Sequence, residues 1–245
     1  MSRFFGFILS PLHHLAFFLI LIIFHPIQWL GLKMGGYSAH KRIVDVMNFF
    51  LTSAYYVLGG TVKFENHQDL PTDRPIIFTA NHQSMYDIPP MIWFLRDYHA
   101  KFISKIELTK NIPSISFNLK YGGGANIDRK DRKQSLSEIM KLGERMKNNN
   151  WSAVIFPEGT RSKDGKMKDF QMGGIATILK KAPNALIVPV AIENSWKVVK
   201  NGTLWLHAFV PIKFTVLNPI EPLDRDVAEV IKEAETAVRA VVEKQ

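Results

Sequence analysis

A histidine and an aspartate five residues apart could act together as a base in this 245-residue chain. His82 and Asp87 belong to the run Asn-His-Gln-Ser-Met-Tyr-Asp at residues 81–87. If the chain turns into a helix between them, the carboxylate holds one imidazole nitrogen protonated, and the other nitrogen can take a proton from a hydroxyl. The same spacing fits a solvated loop histidine, with Asp87 capping a helix that starts near Ile88. Taken alone, this cluster favours the structural interpretation.

A second polar cluster contains groups suited to a phosphate. The run Phe-Pro-Glu-Gly-Thr-Arg occupies residues 156–161. Arg161 offers a planar fork of N–H donors, Gly159 permits close backbone approach, and Thr160 adds a hydroxyl. Backbone amides contribute if the turn curls around an anion. The structural alternative is an ordinary glycine turn with a surface pair between Glu158 and Arg161.

A third cluster, Tyr-Gly-Gly-Gly-Ala-Asn-Ile-Asp-Arg at residues 121–129, combines a flexible approach with another arginine, Arg129. Its structural alternative is a glycine-rich linker. Because glycine supplies flexibility without any ligand-binding group, the three glycines alone are weak evidence for a site.

Short strands and helices alternate after residue 60, and they must position these clusters. Short apolar runs bounded by turn residues predict five strands: Thr61–Glu65, Pro75–Ala80, Lys101–Ser104, Trp151–Phe156 and Leu186–Ile192. Apolar residues at helical spacing predict helices at Gln134–Lys147 and Asp224–Lys244, the second with Asp224 as its N-cap. This alternation predicts an α/β fold with a mainly parallel or mixed sheet flanked by helices. The polar clusters follow strands, where open α/β sheets usually bind ligands.

The N-terminal part is apolar in two runs, residues 4–24 and Val46–Gly59, separated by a basic, glycine-containing stretch. Pro11 interrupts the first run, and a clean membrane span needs about 20 apolar residues. Two short apolar helices joined in this way could enter one leaflet and return. Since no small-x-small cleavage site follows, we expect residues 1–59 to be retained as membrane-associated helices, rather than a cleaved signal peptide or a core helix. Residues 60–245 are expected to form the second domain.

The net charge of +9, from 31 Lys and Arg against 22 Asp and Glu, favours an anionic partner. Nucleic-acid binding would account for the charge, but it would leave the apolar N-terminus and the 156–161 run unexplained, so no nucleic-acid partner is expected. The chain has no cysteine, which excludes disulfides, thiolate metal sites and cysteine nucleophiles. The other histidines lack a convincing ligand spacing, and we expect neither a metal nor another cofactor.

Four ordered blocks of the chain resemble the 1-acylglycerol-3-phosphate acyltransferase family. They stand in the family's order, with similar spacings, over roughly residues 60–220. The His-to-Asp spacing is weakly specific on its own, whereas the 156–161 run is strongly so. The blocks are Asn81-His82-x4-Asp87, Ile127-Asp128-Arg129, Phe156-Pro157-Glu158-Gly159-Thr160-Arg161 and Val188-Pro189-Val190.

In that family, a His–Asp dyad activates the acceptor hydroxyl, which attacks a fatty acyl thioester without an acyl-enzyme intermediate. The resemblance therefore implies that His82 is the base and that Asp87 orients it. The other carried-over residues bind substrate, chiefly the glycerol phosphate of the acceptor. They are Glu158, Gly159, Thr160 and Arg161, and Arg129 is also linked to the acceptor. Lys105 is expected near the phosphate, and its structural alternative is a solvated lysine. Pro189 belongs to a block that packs in the protein and contacts the acyl chain.

Two departures from the family pattern concern the substrates. Ala125 and Asn126 precede the Ile-Asp-Arg triplet, where the family often has bulky apolar residues. Gln171 and Met172 precede Gly173, where a basic pair is common in the family. Neither departure touches the proposed base, so both bear on the identity of the acceptor and the acyl donor.

The resemblance implies acyl transfer from acyl-CoA or acyl carrier protein to the sn-2 hydroxyl of 1-acylglycerol 3-phosphate, giving phosphatidic acid for phospholipid synthesis. Another lysophospholipid or glycerol 3-phosphate as acceptor would use the same motifs. A non-catalytic protein whose basic patches hold anionic lipids is the second alternative. The expected partners are membrane lipids, a lysophospholipid acceptor and the acyl donor, and we expect the active site on the cytoplasmic face of a membrane.

Overall fold

A seven-stranded sheet forms the centre of the molecule in the computed structural model, which describes residues 2–244. The strand order across the sheet is β1-β7-β6-β2-β5-β3-β4. The strands are β1 (Thr61–Glu65), β2 (Ile76–Ala80), β3 (Lys101–Lys105), β4 (Ala125–Ile127), β5 (Ala153–Ile155), β6 (Leu186–Glu193) and β7 (Pro211–Val216).

The sheet is mixed, as the sequence predicts. Strands β2 to β6 run parallel to one another, whereas β7 is antiparallel to β6 and parallel to β1. The carboxyl ends of β2, β3, β5 and β6 therefore meet at one edge of the sheet, where α/β proteins commonly place their ligands.

Helices cover both faces of the sheet. One face packs against α4, α5 and α7, and the other against α2 and the residues that follow α1. Four short 3₁₀ turns connect the elements, at Tyr55–Leu58, Met85–Asp87, Arg96–Tyr98 and Ile106–Thr109. The helices are α1 (Ser2–Ala54), α2 (Ile88–Phe94), α3 (Ile115–Tyr121), α4 (Arg132–Asn149), α5 (Met172–Leu179), α6 (Ser195–Val198) and α7 (Val227–Val242).

The element α1 consists of two helical limbs, because Gly36 breaks the helix with a φ of 65° and a ψ of −158°. These two limbs confirm the predicted pair of apolar helices joined by a glycine-containing stretch, and Pro11 lies inside the first limb. Leu21 on the first limb packs with Met47 and Leu51 on the second. By length and composition, the helix is apolar enough to cross a membrane, with a mean hydropathy of 2.3 in its best window, and little of that window is buried.

The five predicted strands and both predicted helices are present, with ends that differ by at most three residues, and β1 has the predicted bounds. Strands β4 and β7 were not predicted. The N-cap prediction for the last helix is wrong: Asp226, rather than Asp224, accepts the backbone N–H groups of Ala228 and Glu229. Asp224 lies in the preceding turn with a φ of 58°, which is incompatible with the extended backbone of an N-cap.

Candidate active site

The loop that follows β2 carries the predicted dyad, and the sheet fixes where this loop begins. The Asn81 amide donates to the carbonyl of Ile192 and accepts from its N–H, joining the ends of β2 and β6. Ser84 then caps the 3₁₀ turn Met85–Asp87 in a capping box with Asp87. This local structure brings the aspartate back toward the start of the loop.

The His82 and Asp87 side chains form a hydrogen bond, with 2.8 Å between Nδ1 and Oδ2. The carboxylate is fully buried, and Oδ2 also accepts the backbone N–H groups of Gln83 at 2.7 Å and Ser84 at 2.9 Å. The Ser195 hydroxyl donates to the other oxygen, Oδ1. Because a carboxylate only accepts hydrogen bonds, Nδ1 must carry the proton in the neutral ring, and Nε2 is the basic nitrogen.

The His82 ring is held on several sides. Phe156 stacks on its face, with 4.1 Å between ring centroids and 17° between planes. The Ser162 N–H donates to the His82 carbonyl at 2.8 Å. Nε2 accepts from the Arg161 Nε at a long 3.3 Å, so in this state a guanidinium occupies the place where an acceptor hydroxyl would bind.

Glu158 supports the loop backbone. Its carboxylate is buried and accepts the N–H groups of His82 at 2.8 Å and Lys168 at 2.9 Å. Burial raises the pKa of this carboxyl above its ordinary value. Both oxygens are directed at protein backbone, and Glu158 is not among the residues that line the cavity beside His82. Its predicted contact with the acceptor remains a prediction.

Three cations predicted to bind the acceptor share one cavity with His82. Lys105 at the end of β3, Arg129 after β4, and Arg161 after β5 are all exposed and line this cavity. The fold brings them together because the three strands end at the same edge of the sheet. Together they can neutralise a phosphate placed near the imidazole.

The turn at Gly159 and Thr160 also lines the cavity. Gly159 has a φ of 70°, in the left-handed region that favours glycine. The Thr160 hydroxyl accepts from Lys168 Nζ at 2.5 Å, which adds a fourth cation close to the turn. The turn therefore presents its backbone to the cavity, with a lysine ammonium bound to it.

The cavity has a volume of about 1430 Å³ and extends from His82 between β3, α2 and the limbs of α1. Apolar side chains line most of this length, and the volume exceeds what a glycerol phosphate needs. The apolar lining includes Val44, Leu51, Ile88, Ile92, Phe102 and Ile103.

Ser195 is the main residue of the site that sequence reasoning missed. It lies 108 positions from Asp87, at the start of α6, just after β6 ends. A polar residue at the carboxyl end of a predicted parallel strand was the signal that could have found it. Within residues 2–244, no group of three or more His, Asp or Glu side chains could hold a metal ion.

A family model described as Acyltransferase matches residues 61–193, the segment that carries the dyad and all three cations. The chain belongs to the Acyltransferase family. The match ends at the last residue of β6, two positions before Ser195.

Several curated relatives in this family are 1-acyl-sn-glycerol-3-phosphate acyltransferases. A Helicobacter pylori enzyme is 34% identical over 156 residues, 62% of each chain. A chloroplastic Arabidopsis thaliana enzyme is 28% identical over 68% of this chain and 45% of its own length. The human beta enzyme is 28% identical over 66% of this chain and 56% of its own length. This chain spans less than half the length of the first curated relatives that it matches.

A solved structure has the same fold. The 1-acyl-sn-glycerophosphate acyltransferase of Thermotoga maritima superposes with a TM-score of 0.80, over 100% of this chain and 97% of that one. The two sequences are 24% identical. The likeness therefore confirms the α/β architecture with its long N-terminal helix.

Proposed function

We propose that this chain moves a fatty acyl group from acyl-CoA or acyl carrier protein to the sn-2 hydroxyl of 1-acylglycerol 3-phosphate. The product, phosphatidic acid, enters phospholipid synthesis. The observation that carries the proposal is the His82–Asp87 hydrogen bond, which leaves Nε2 as the basic nitrogen beside a cationic cavity mouth. The named activity of the curated relatives supports the same substrate pair.

His82 is the general base in this reaction. Nε2 takes the proton of the acceptor hydroxyl as its oxygen attacks the thioester carbonyl carbon. Asp87 holds the ring in the required tautomer and stabilises the imidazolium that forms. When the tetrahedral intermediate collapses, the carbon–sulfur bond breaks, and the departing sulfur takes the proton from His82. No acyl-enzyme bond forms.

The cations at the cavity mouth hold the acceptor. A phosphate bound by Arg161, with Lys105 and Arg129 nearby, places the glycerol hydroxyl beside His82. The apolar length of the cavity suits fatty acyl chains, which bury their methylenes there at about 0.8 kcal/mol each.

The first limb of α1 attaches the protein to a membrane in this proposal. Residues 1–59 form the membrane-associated segment and residues 60–245 the acyltransferase domain, with the active site facing the cytoplasm. The strongly apolar, largely unburied surface of α1 supports this arrangement.

The decisive experiment is transfer of a labelled acyl group to lysophosphatidic acid by the purified protein in detergent. We expect His82→Ala to lower kcat by about 100- to 10,000-fold, because it removes the base. His67→Ala is the matched control, since His67 is exposed and lies outside the site. Normal turnover by the His82 variant would refute the base assignment, and no transfer by the unaltered chain would refute the function.

A panel of acceptors separates the alternatives. Faster transfer to another lysophospholipid or to glycerol 3-phosphate would change the acceptor and leave the chemistry intact. Binding to anionic vesicles without transfer to any acceptor would favour the non-catalytic membrane-binding protein.

A further inference from the structure

An exposed apolar loop lies against the start of α1, although the two are about 200 positions apart in sequence. Residues 204–209, called here the 204–209 loop, lie between α6 and β7. Leu204 is 65% exposed, Trp205 42% and Phe209 51%, whereas Leu206 and Ala208 are buried and fix the loop to the body of the protein. Exposed apolar side chains grouped in this way mark a binding surface.

Hydrogen bonds fix the loop along the first turns of α1. The Ser2 hydroxyl donates to the Ala208 carbonyl at 2.6 Å, and the Leu206 N–H donates to Ser10 Oγ at 2.8 Å. The His14 Nε2 lies 3.0 Å from the Leu204 carbonyl oxygen. These contacts span more than three turns of helix, so the loop and the helix present one rigid surface.

Aromatic contacts make that surface continuous. Trp205 packs on Phe7, with 5.1 Å between ring centroids, and Phe209 packs on Phe5 at 5.4 Å. The helix contributes further exposed apolar residues that recur at helical spacing, which places them on one face. They are Phe4, Ile8, Leu12 and Leu15.

The two segments that form this surface carry basic residues and no acidic ones. Residues 1–44 and 194–219 contain no Asp or Glu. The guanidinium of Arg3 lies 5.8 Å from the centre of the Phe7 ring, and the Lys200 ammonium lies 5.5 Å from that of Trp196. An apolar surface bearing aromatic rings and bordered by cations matches the interface of an anionic bilayer.

We propose that the 204–209 loop enters the same anionic leaflet as the start of α1, and that Trp205 lies at the interface between head groups and acyl chains. The proposal rests on the membrane attachment proposed above. Lys200, Gly202 and Thr203, which lead into the loop, line the same cavity as His82. The loop therefore sets the cavity mouth at the membrane surface, where a lysolipid reaches it without crossing water.

The chain contains no cysteine, so single introduced cysteines can report on depth. Leu15→Cys, Leu204→Cys and Leu223→Cys, each labelled with an environment-sensitive fluorophore, are reconstituted into vesicles of phosphatidylcholine and phosphatidylglycerol. The leucines are similarly exposed, at 57%, 65% and 58%, and Leu223 lies near the start of α7, outside the proposed surface. Spin-labelled acyl chains should quench the probes at 15 and 204 at least several-fold more than the probe at 223.

The outcomes separate the two proposals. Quenching at position 15 but not at 204 would overturn the loop proposal and leave membrane attachment by α1 intact. Quenching at neither position would overturn both. A probe at 204 that is shielded in detergent, in a protein whose mass is that of a dimer, would assign the surface to a second copy of the chain and overturn the lipid assignment.

Discussion

At the scale of single residues, the site depends on how firmly Asp87 is held. Its carboxylate has four hydrogen-bond donors: the His82 ring, two backbone amides and the Ser195 hydroxyl. A buried carboxylate surrounded in this way keeps its orientation. Ser195 is thus a positioning residue that acts through Asp87.

We expect Ser195→Ala to lower kcat about tenfold with little change in KM, because it removes one charge-assisted hydrogen bond from Asp87. Ser195→Thr keeps the hydroxyl and should recover most of the activity. The measurement is kcat as a function of pH. The fall of kcat at acidic pH should shift along the pH axis in Ser195→Ala but not in Ser195→Thr. Ser152→Ala, at a buried serine that accepts the Ile76 N–H far from the dyad, is the control. An unchanged kcat and pH profile in Ser195→Ala would rule out the positioning role.

Arg161 should matter to the binding of phosphorylated acceptors and not to the binding of acceptors without a phosphate. Arg161→Gln removes a fork of donors from the cavity mouth, so we expect KM for lysophosphatidic acid to rise about tenfold or more. KM for an unphosphorylated monoacylglycerol should stay the same. Lys166→Gln removes an equal charge from the exposed stretch after the turn and serves as the comparison. Equal effects of Arg161→Gln on both acceptors would contradict a phosphate contact.

At the scale of elements, the second limb of α1 is joined to the sheet through Lys101, the first residue of β3. Its buried ammonium lies 5.0 Å from the centre of the Tyr37 ring and 4.8 Å from that of Trp151. Burial lowers the pKa of Lys101 from 10.5 to about 7, and the charge of Lys41 adds to the effect. Keeping the buried Lys101 ammonium charged therefore lowers the free energy of unfolding.

Because the pKa of Lys101 is lowered in the folded protein, the stability of the protein should depend on pH. Between pH 7 and pH 10.5, the unfolded chain binds more protons at this position than the folded one, so the free energy of unfolding falls as the pH drops through this window. Chemical unfolding in mild detergent measures the free energy of unfolding at pH 7 and at pH 9. We expect this free energy to rise with pH by about 2 kcal/mol more in the unaltered protein than in Lys101→Met. Lys147→Met, at an exposed lysine of α4, should match the unaltered protein. Identical slopes in all three proteins would refute the shift.

The sequence predicts an element well when its buried residues form a recognisable pattern over a few neighbouring positions. Strand β2 is a continuous apolar run, and it lies within one residue of its prediction. Strand β4 has only three residues after a glycine stretch, too few to show a period. In β7, Ile212, Phe214 and Val216 alternate inward, yet its place between β1 and β6 depends on pairings that no local pattern encodes.

The site divides in the same way. The dyad and the three cations were found because each directly follows a strand or a recognisable motif. The contacts of Ser195 with Asp87 and of Glu158 with the His82 backbone join distant parts of the chain. Only the folded sheet brings those pairs together.

At the scale of the whole molecule, the end of the N-terminal helical segment shares a core with the sheet. Tyr55 and Leu58, just after α1, are fully buried against Phe78 of β2, Val188 of β6 and Phe214 of β7. A boundary drawn between residues 59 and 60 separates the anchor by sequence, but it cuts through this packing.

Leu58→Ala should therefore lower the free energy of unfolding by about 2 to 5 kcal/mol, as large-to-small changes in a packed core do. Val57→Ala, at the half-exposed neighbour, should cost less than about 1 kcal/mol. Unfolding of both variants in detergent checks the difference. By the same reasoning, a chain without residues 2–59 should misfold; if it were soluble and folded, the shared core would be unimportant.

The contact between Arg161 and His82 Nε2 has a consequence for water. An uncovered imidazole beside a bound thioester would activate a water molecule as readily as an alcohol and release free fatty acid. In the proposed reaction, the guanidinium on Nε2 would cover the base until the phosphate of an arriving acceptor draws the arginine away. In the proposed function, Arg161 would therefore both select the acceptor and protect the donor from hydrolysis before the acceptor binds.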